Sequence, residues 1–128
     1  MTTYLADACA LIVYLSEPAP ARIMSSRAVE TLKSGEVVVS PITVWEITRK
    51  IAIGKLTPWG RDGVVAVLRA HGFTLQPLAW EDAEHANTLP PLHKDPMDRM
   101  LIAQALRADM TIITDDAVFA RYGVKILW

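Results

Sequence analysis

The chain has little net charge, a single cysteine, few aromatic residues and no apolar run long enough to cross a bilayer, and each scarcity excludes something. A formal net charge of −1 gives no global electrostatic signature of nucleic-acid binding, so a polyanion would have to be held by a local basic rim. The one cysteine, Cys9, cannot form an internal disulfide; among apolar neighbours it reads as a reduced, buried thiol of a cytosolic protein. Aromatics make up 7% of the residues, and Trp45, Trp59, Trp80 and Trp128 read as core or interface residues rather than base-stacking platforms. No His-rich or Cys-rich cluster has the spacing of a zinc site. The apolar stretch Ala8 to Leu15 does not read as a secretory signal: it lacks a basic leading segment, Asp7 interrupts it and Glu17 closes it. With no stretch of membrane-spanning length, the expected location is the cytoplasm, with no membrane partner.

What is present is a chain of 128 residues, 52% of them hydrophobic, enough for one proper core and one domain over residues 1–128. No repeat or low-complexity linker divides it. Strand patterns at Tyr4 to Ala6, Val37 to Val39, Phe73 to Leu78, Met110 to Ile113 and Val124 to Leu127 alternate with helical ones. The helices are expected at Cys9 to Ser16, Pro20 to about Lys33, Pro41 to Gly54, Asp62 or Gly63 to His71, Trp80 to Asn87, Met97 to Ala108 and Ala117 to Tyr122. Ser40-Pro41 and Asp95-Pro96 are N-caps followed by proline at the first helical position. Strands separated by helices of this length imply βαβ units: an α/β fold with a central, mostly parallel sheet between two helical layers.

Four carboxylates stand where apolar runs change character. Asp7 ends the first strand, Glu46 lies in the helix after Val37 to Val39, Asp98 falls in the first turn of the Met97 helix, and Asp116 follows Met110 to Thr114. Ligands of open α/β sheets bind outside the carboxyl ends of the strands. Acids gathered there repel one another unless a cation holds them. Oxygen donors suit a hard divalent ion, Mg²⁺ or Mn²⁺, and so metal-assisted chemistry on a phosphodiester. Hydrolysis needs an activated water, charge stabilisation at phosphorus and support for the leaving alkoxide; a divalent ion supplies all three, and two ions about 3.5–4 Å apart divide the work. Asp7 and Asp98 are the expected direct ligands, with Asp116 and Glu46 acting through water or a second ion. As a set, Asp7, Asp98 and Asp116 hold metal and Glu46 reaches it through water.

Each residue has a plainer role beside the catalytic one. Asp98 can simply favour a helix N-terminus, though Asp95 is the better cap. Glu46 has Arg49 and Lys50 nearby for a surface ion pair. Asp115 and Asp116 can begin a turn or cap the next helix. Thr114 is either an ordinary strand-end residue or a hydroxyl that orients an acid, and Ser40 is foremost an N-cap. His93 reads as a loop-ordering residue in reach of substrate, since metal-dependent cleavage needs no histidine. Arg99 can pair with an acid or grip a phosphate through its fork of donors. Arg49, Lys50 and Lys94 are candidates for an RNA-holding rim, with solvated surface the default for each alone.

Taken together these segments resemble PIN-domain proteins, and most of all the VapC group of toxin ribonucleases. The likeness rests on Tyr4-Leu-Ala-Asp7, Ser40-Pro-Ile-Thr-Val-Trp-Glu46-Ile, His93-Lys-Asp-Pro-Met-Asp98-Arg-Met-Leu-Ile-Ala-Gln-Ala and Ile-Ile-Thr114-Asp-Asp116. The third block is the most specific, and the match spans nearly the whole chain. The resemblance implies a three-layer α/β/α PIN-like fold and Mg²⁺- or Mn²⁺-dependent endoribonuclease activity at Asp7, Glu46, Asp98 and Asp116. It also implies a homodimer and inhibition by a small VapB-like antitoxin. Met97 stands where the family commonly has Phe, an apolar swap that leaves the site intact. The family pattern Thr-x-Asp favours Asp116 over Asp115 as the fourth acid. Two other classes remain open: a catalytically silent PIN-like module that holds RNA or a regulatory protein, and a phosphatase on an α/β sheet. The first is disfavoured by the presence of all four acids. The second is disfavoured by Cys9, where such enzymes commonly carry a second acid.

Overall fold

The computed structural model describes residues 2–16 and 23–128. Along the chain run β1 (Thr3–Ala6), α1 (Ala8–Leu15), α2 (Ser26–Lys33), β2 (Val37–Val39), α3 (Pro41–Ala52) and α4 (Val64–Ala70). They are followed by β3 (Thr74–Leu75), α5 (Trp80–Ala86), α6 (Pro96–Arg107), β4 (Met110–Ile113), a 3₁₀ helix (Ala117–Tyr122) and β5 (Ile126–Leu127). The five strands form one sheet in the order β3-β2-β1-β4-β5, and every pairing is parallel. Among the described residues no helix is long and apolar enough to cross a membrane.

The inner strands β2 and β4 and the end of β1 are buried on both sides and send alternate residues into one of two cores, while the edge strands β3 and β5 are partly exposed. Ala6, Val37, Val39 and Ile113 join Leu11, Ala28, Leu32, Ile47, Val64 and Leu68 on the face covered by α1 to α4. Leu5, Val38, Met110 and Ile112 join Ala86, Leu101, Ile102, Ala105 and Phe119 on the face covered by α5, α6 and the 3₁₀ helix. Each fully buried leucine or isoleucine contributes about 2 kcal/mol before conformational entropy is counted. The expected three-layer α/β/α architecture is the one observed, with a sheet that is wholly parallel.

Several boundaries differ from expectation for local reasons. The second helix begins at Ser26, not in the Pro20 region: Ser25 is its N-cap, and its Oγ accepts from the Ala28 N–H at 3.1 Å. Glu17, Pro18 and Pro20 themselves lie outside the described residues. The strand expected over Phe73 to Leu78 shrinks to Thr74–Leu75, because Pro77 has no N–H to extend the ladder past the Gln76 N–H bond to Val39. The last strand keeps only Ile126–Leu127. Ala117–Tyr122 winds as 3₁₀ rather than α and stops at Gly123, whose φ of 82° suits glycine. Trp45 and Trp80 are 48% and 92% exposed, so neither is a core residue of this chain.

The topology fixes where a ligand can sit. From β1 the chain moves outward through β2 to β3, then crosses back to β4 and β5 on the other side. The direction reverses between β1 and β4, where the loops leaving the strand ends diverge and open a crevice. The residues leaving those two strands are Asp7 and Thr114.

Candidate active site

Asp7 follows β1 directly and is the N-cap of α1, its Oδ1 accepting from the Ala8 N–H at 2.8 Å. Its other oxygen, Oδ2, accepts from the buried Thr114 hydroxyl at 2.8 Å and lies 3.5 Å from the Cys9 thiol. Thr114 in turn accepts from the Asp116 N–H at 3.1 Å, so one hydroxyl joins the ends of β1 and β4. Asp116 caps the 3₁₀ helix, its Oδ1 accepting from the Val118 N–H at 3.0 Å. The capping role weighed for Asp116 is therefore real, Asp7 caps a helix as well, and both still belong to the groups of acids that meet here.

Glu46 and Asp98 arrive from helices. Ser40 is a buried N-cap, its Oγ accepting from the Ile42 N–H at 3.2 Å, with Pro41 at the first position of α3. The Thr43 hydroxyl donates to the Ala6 carbonyl at 3.0 Å and ties α3 to the end of β1, which brings Glu46 one turn later towards Asp7. Asp95 is the N-cap of α6 with Pro96 behind it, leaving Asp98 in the first turn without a capping duty. Ligand atoms of Asp7, Glu46 and Asp98 all lie within 4.8 Å of one another, and those of His93, Asp98 and Asp116 form a second such group. Asp98 is common to both. The structure thus brings together all four acids expected to share the site and adds His93; of the neighbouring pair it is Asp116, rather than Asp115, that joins the group.

The electrostatics match the crowding. Burial pushes the Asp7 carboxyl up, against the opposing hydrogen bonds from Thr114, Ala8 and Cys9, and the Asp116 charge adds to the rise. Glu46 is raised by burial and then by the Asp7 charge, with Lys50 opposing. Asp98 is pushed up to about 7 by burial first, then by the charges of Asp7, Asp95 and Glu46, with His93 opposing. Burial and Asp7 likewise hold the Cys9 thiol in its protonated form. Three carboxyls raised together mark a pocket of anions short of positive charge, which is where a cation is favoured. The Asp7, Glu46 and Asp98 donors are all oxygens, a set that fits Mg²⁺ or Mn²⁺.

The basic residues divide. Lys50 Nζ is 3.5 Å from Glu46 Oε1 and stands at the edge of the acids. Arg49 is exposed one position earlier, its guanidinium 5.6 Å from the centre of the Trp45 ring, and Lys94 is exposed in the loop before α6. Arg99 is not brought to the acids: its guanidinium donates to the carbonyls of Ala86, Leu89 and Pro90, each at 2.9 Å. Tyr122 completes that clamp, donating to the Pro90 carbonyl at 2.7 Å and accepting from the N–H groups of Leu92 and His93 at 3.1 and 2.7 Å. Neither Tyr122 nor Thr43 stood out in the sequence, because a lone hydroxyl bonding a distant backbone group has no local pattern to betray it.

A family model described as PIN domain matches residues 4–125. No curated protein matches the chain. Solved structures that resemble it include FitAB bound to an IR36 DNA fragment, with 20% identity and a TM-score of 0.67, covering 98% of this chain and 94% of that one. FitAcB from Neisseria gonorrhoeae shares 19% identity at a TM-score of 0.65, with 98% and 97% covered. DNA-bound VapBC from Salmonella typhimurium shares 17% identity at a TM-score of 0.63, again with 98% and 97% covered.

Proposed function

The chain belongs to the PIN-domain family, and on that premise we propose that it is a metal-dependent endoribonuclease, the toxin of a toxin–antitoxin pair. The single observation that carries the proposal is the meeting of Asp7, Glu46 and Asp98 within 4.8 Å at the switch point of a parallel sheet, with Asp116 attached through Asp98. Silent binding modules have no need to keep four acids in mutual repulsion. In this assignment Asp7, Asp98 and Glu46 would hold Mg²⁺ or Mn²⁺ and Asp116 would serve a second ion or a water. Glu46 and Asp116 thus exchange the roles expected from the sequence, because it is Glu46 that groups with Asp7 and Asp98. When bound, the ion supplies Lewis acidity at the phosphoryl group and eases deprotonation of the attacking water.

The chain's own residues do the rest. Thr114 fixes the rotamer of Asp7 through its 2.8 Å bond, so the donor set is formed before substrate arrives. Lys50, Arg49 and Lys94 flank the acids and meet the phosphates on either side of the scissile bond, while the acids themselves repel RNA until a cation is present. FitAB and VapBC were both captured on DNA, and VapBC carries the name of the toxin group the sequence resembles. The proposal therefore includes a homodimer, a small VapB-like antitoxin, RNA as substrate and the cytoplasm as location.

The test is cleavage of labelled single-stranded RNA with Mg²⁺, with Mn²⁺ and with EDTA, beside a small phosphomonoester. Cleavage of RNA alone, only with metal, and reduced by about a hundredfold or more in folded Asp98→Asn is the expected result. Metal-independent cleavage, or turnover of the monoester alone, refutes it.

A further inference from the structure

His93 approaches the acids from the side, and the hydrogen bonds around its ring decide what it can do there. Its Nε2 lies 3.0 Å from Asp116 Oδ2 and 3.1 Å from Asp98 Oδ2. By distance alone, His93, Asp98 and Asp116 resemble a mixed nitrogen and oxygen metal site. Its other nitrogen, Nδ1, accepts a hydrogen bond from the Asp95 N–H at 3.2 Å. An accepting Nδ1 carries a lone pair, so in the neutral ring the hydrogen is on Nε2. A histidine that ligates a metal shows the opposite pattern: its second nitrogen donates to a carbonyl or carboxylate, freeing the first for the ion. Here a backbone N–H occupies the place where that acceptor would stand.

The ring is also fixed in place. Its backbone N–H donates to the Tyr122 hydroxyl at 2.7 Å, the same hydroxyl that holds the loop with Arg99. Phe119 packs against it edge to face with ring centres 5.6 Å apart. A backbone bond, a ring contact and the Asp95 N–H together give Nε2 one direction, towards Asp116.

We infer that His93 is a fixed hydrogen-bond donor that positions Asp116 against Asp98, and that it is not a ligand of the ion. This deepens the metal-dependent assignment above and rests on it. The hydrogen on Nε2 bonds Asp116 Oδ2, while Asp116 Oδ1 is held by the Val118 N–H, so the carboxylate is oriented from both ends. Asp98 Oδ2 lies 3.1 Å from the same nitrogen, and Asp98 also belongs to the group with Asp7 and Glu46. The cation-binding position is then the all-oxygen group of Asp7, Glu46 and Asp98, with Asp116 as an oriented outer acid.

Two measurements on the full chain test this. Nitrogen NMR of the metal-free protein labelled with ¹⁵N-histidine, at alkaline pH and assigned against His93→Gln, is expected to show the hydrogen on Nε2. Mn²⁺ titration by electron paramagnetic resonance is expected to show affinity weakened about tenfold or more in His93→Ala and retained in His93→Gln, whose amide restores an N–H at that place. Pulsed resonance of the Mn²⁺ form should show no directly bound ¹⁵N. A hydrogen on Nδ1, a bound-nitrogen coupling that His93→Gln abolishes, or unchanged affinity in His93→Ala each overturns the inference. Failure of the underlying assignment looks different: Mn²⁺ affinity would be absent, or indifferent to Asp98→Asn, while the NMR result would still decide the ring.

Discussion

Asp82 and Asp7 are both aspartates taken out of solvent, at 0% and 7% exposure, and the chain surrounds them differently. Asp82 sits between α5 and α6 with Arg107 Nε at 2.6 Å on one oxygen and the Ala79 N–H at 2.9 Å on the other. Its charge is balanced, and the pair closes two helices onto each other. Asp7 has hydrogen-bond donors from Thr114 and Ala8 but faces Glu46, Asp98 and Asp116, while Lys50 at the rim pairs with Glu46 rather than with Asp7. A fold that can neutralise a buried aspartate in one place and leaves another in a crowd of acids carries the second for a reason other than stability.

The largest expected effect separates the two by activity. Asp7→Asn should reduce metal-dependent RNA cleavage by about a hundredfold or more with the fold retained. Asp82→Ala should leave cleavage per folded molecule unchanged and lower stability by about 2 kcal/mol, the usual cost of losing hydrogen bonds to a buried charge. Cleavage assays and denaturant melts on both variants check this. If Asp82→Ala abolished cleavage while still folded, or Asp7→Asn cleaved normally, the division into structural and functional acids would be wrong.

How far this contrast could be foreseen depends on the range of the interactions. Ser40-Pro41 and Asp95-Pro96 are local signals, and both helices start where those pairs placed them. Val37–Val39 and Met110–Ile113 are apolar runs of strand length, and both are fully buried strands. The positions of Asp7 and Asp116 followed because each stands just beyond a strand of a parallel sheet. The Asp82–Arg107 pair joins residues 25 apart, and no pattern on α5 announced its partner on α6. Arg99 differs from expectation for the same reason: a guanidinium beside an acid in sequence looks like a phosphate grip, but its donors satisfy the Ala86 carbonyl at the end of α5 and those of Leu89 and Pro90 in the loop that follows. His93 was legible as a loop-ordering residue, whereas its contact with two acids needed the third dimension.

A smaller effect sharpens the contrast through pH. Burial and then the neighbouring acids Asp7, Asp95 and Glu46 raise Asp98 to about 7 from the ordinary 3.8. A carboxyl raised in the native state binds its proton more tightly there than in the unfolded chain. Its contribution to stability is therefore present below 3.8 and is lost as pH rises through about 7. Asp7 and Glu46 are shifted in the same direction. Metal-free protein in EDTA should thus melt at progressively lower temperature across that window, and Asp98→Asn should flatten the decline and melt higher above it. Partial exposure of Asp98 screens the effect and keeps it modest. A melting temperature in EDTA that climbs over the same window would contradict the crowding of acids.

Gln104 offers a third kind of buried polar group, neither balanced by a cation nor crowded by like charge. It lies fully buried in α6, and among the described residues neither its amide nitrogen nor its amide oxygen has a hydrogen-bond partner. An unpaired buried amide costs about 1–3 kcal/mol, so the side chain weakens the fold unless something outside the protein completes it. Methionine has nearly the same length and volume without the polar atoms, and it packs into irregular core space. Gln104→Met should therefore raise stability by about 1 kcal/mol and leave RNA cleavage unchanged, because Gln104 belongs to neither acid group. Calorimetry beside a cleavage assay gives both readouts. A lower melting temperature would mean that the amide has partners in solution, such as a buried water bridging it to the backbone. A loss of cleavage with stability kept would move Gln104 out of the passive core and into the support of Asp98 on the same helix.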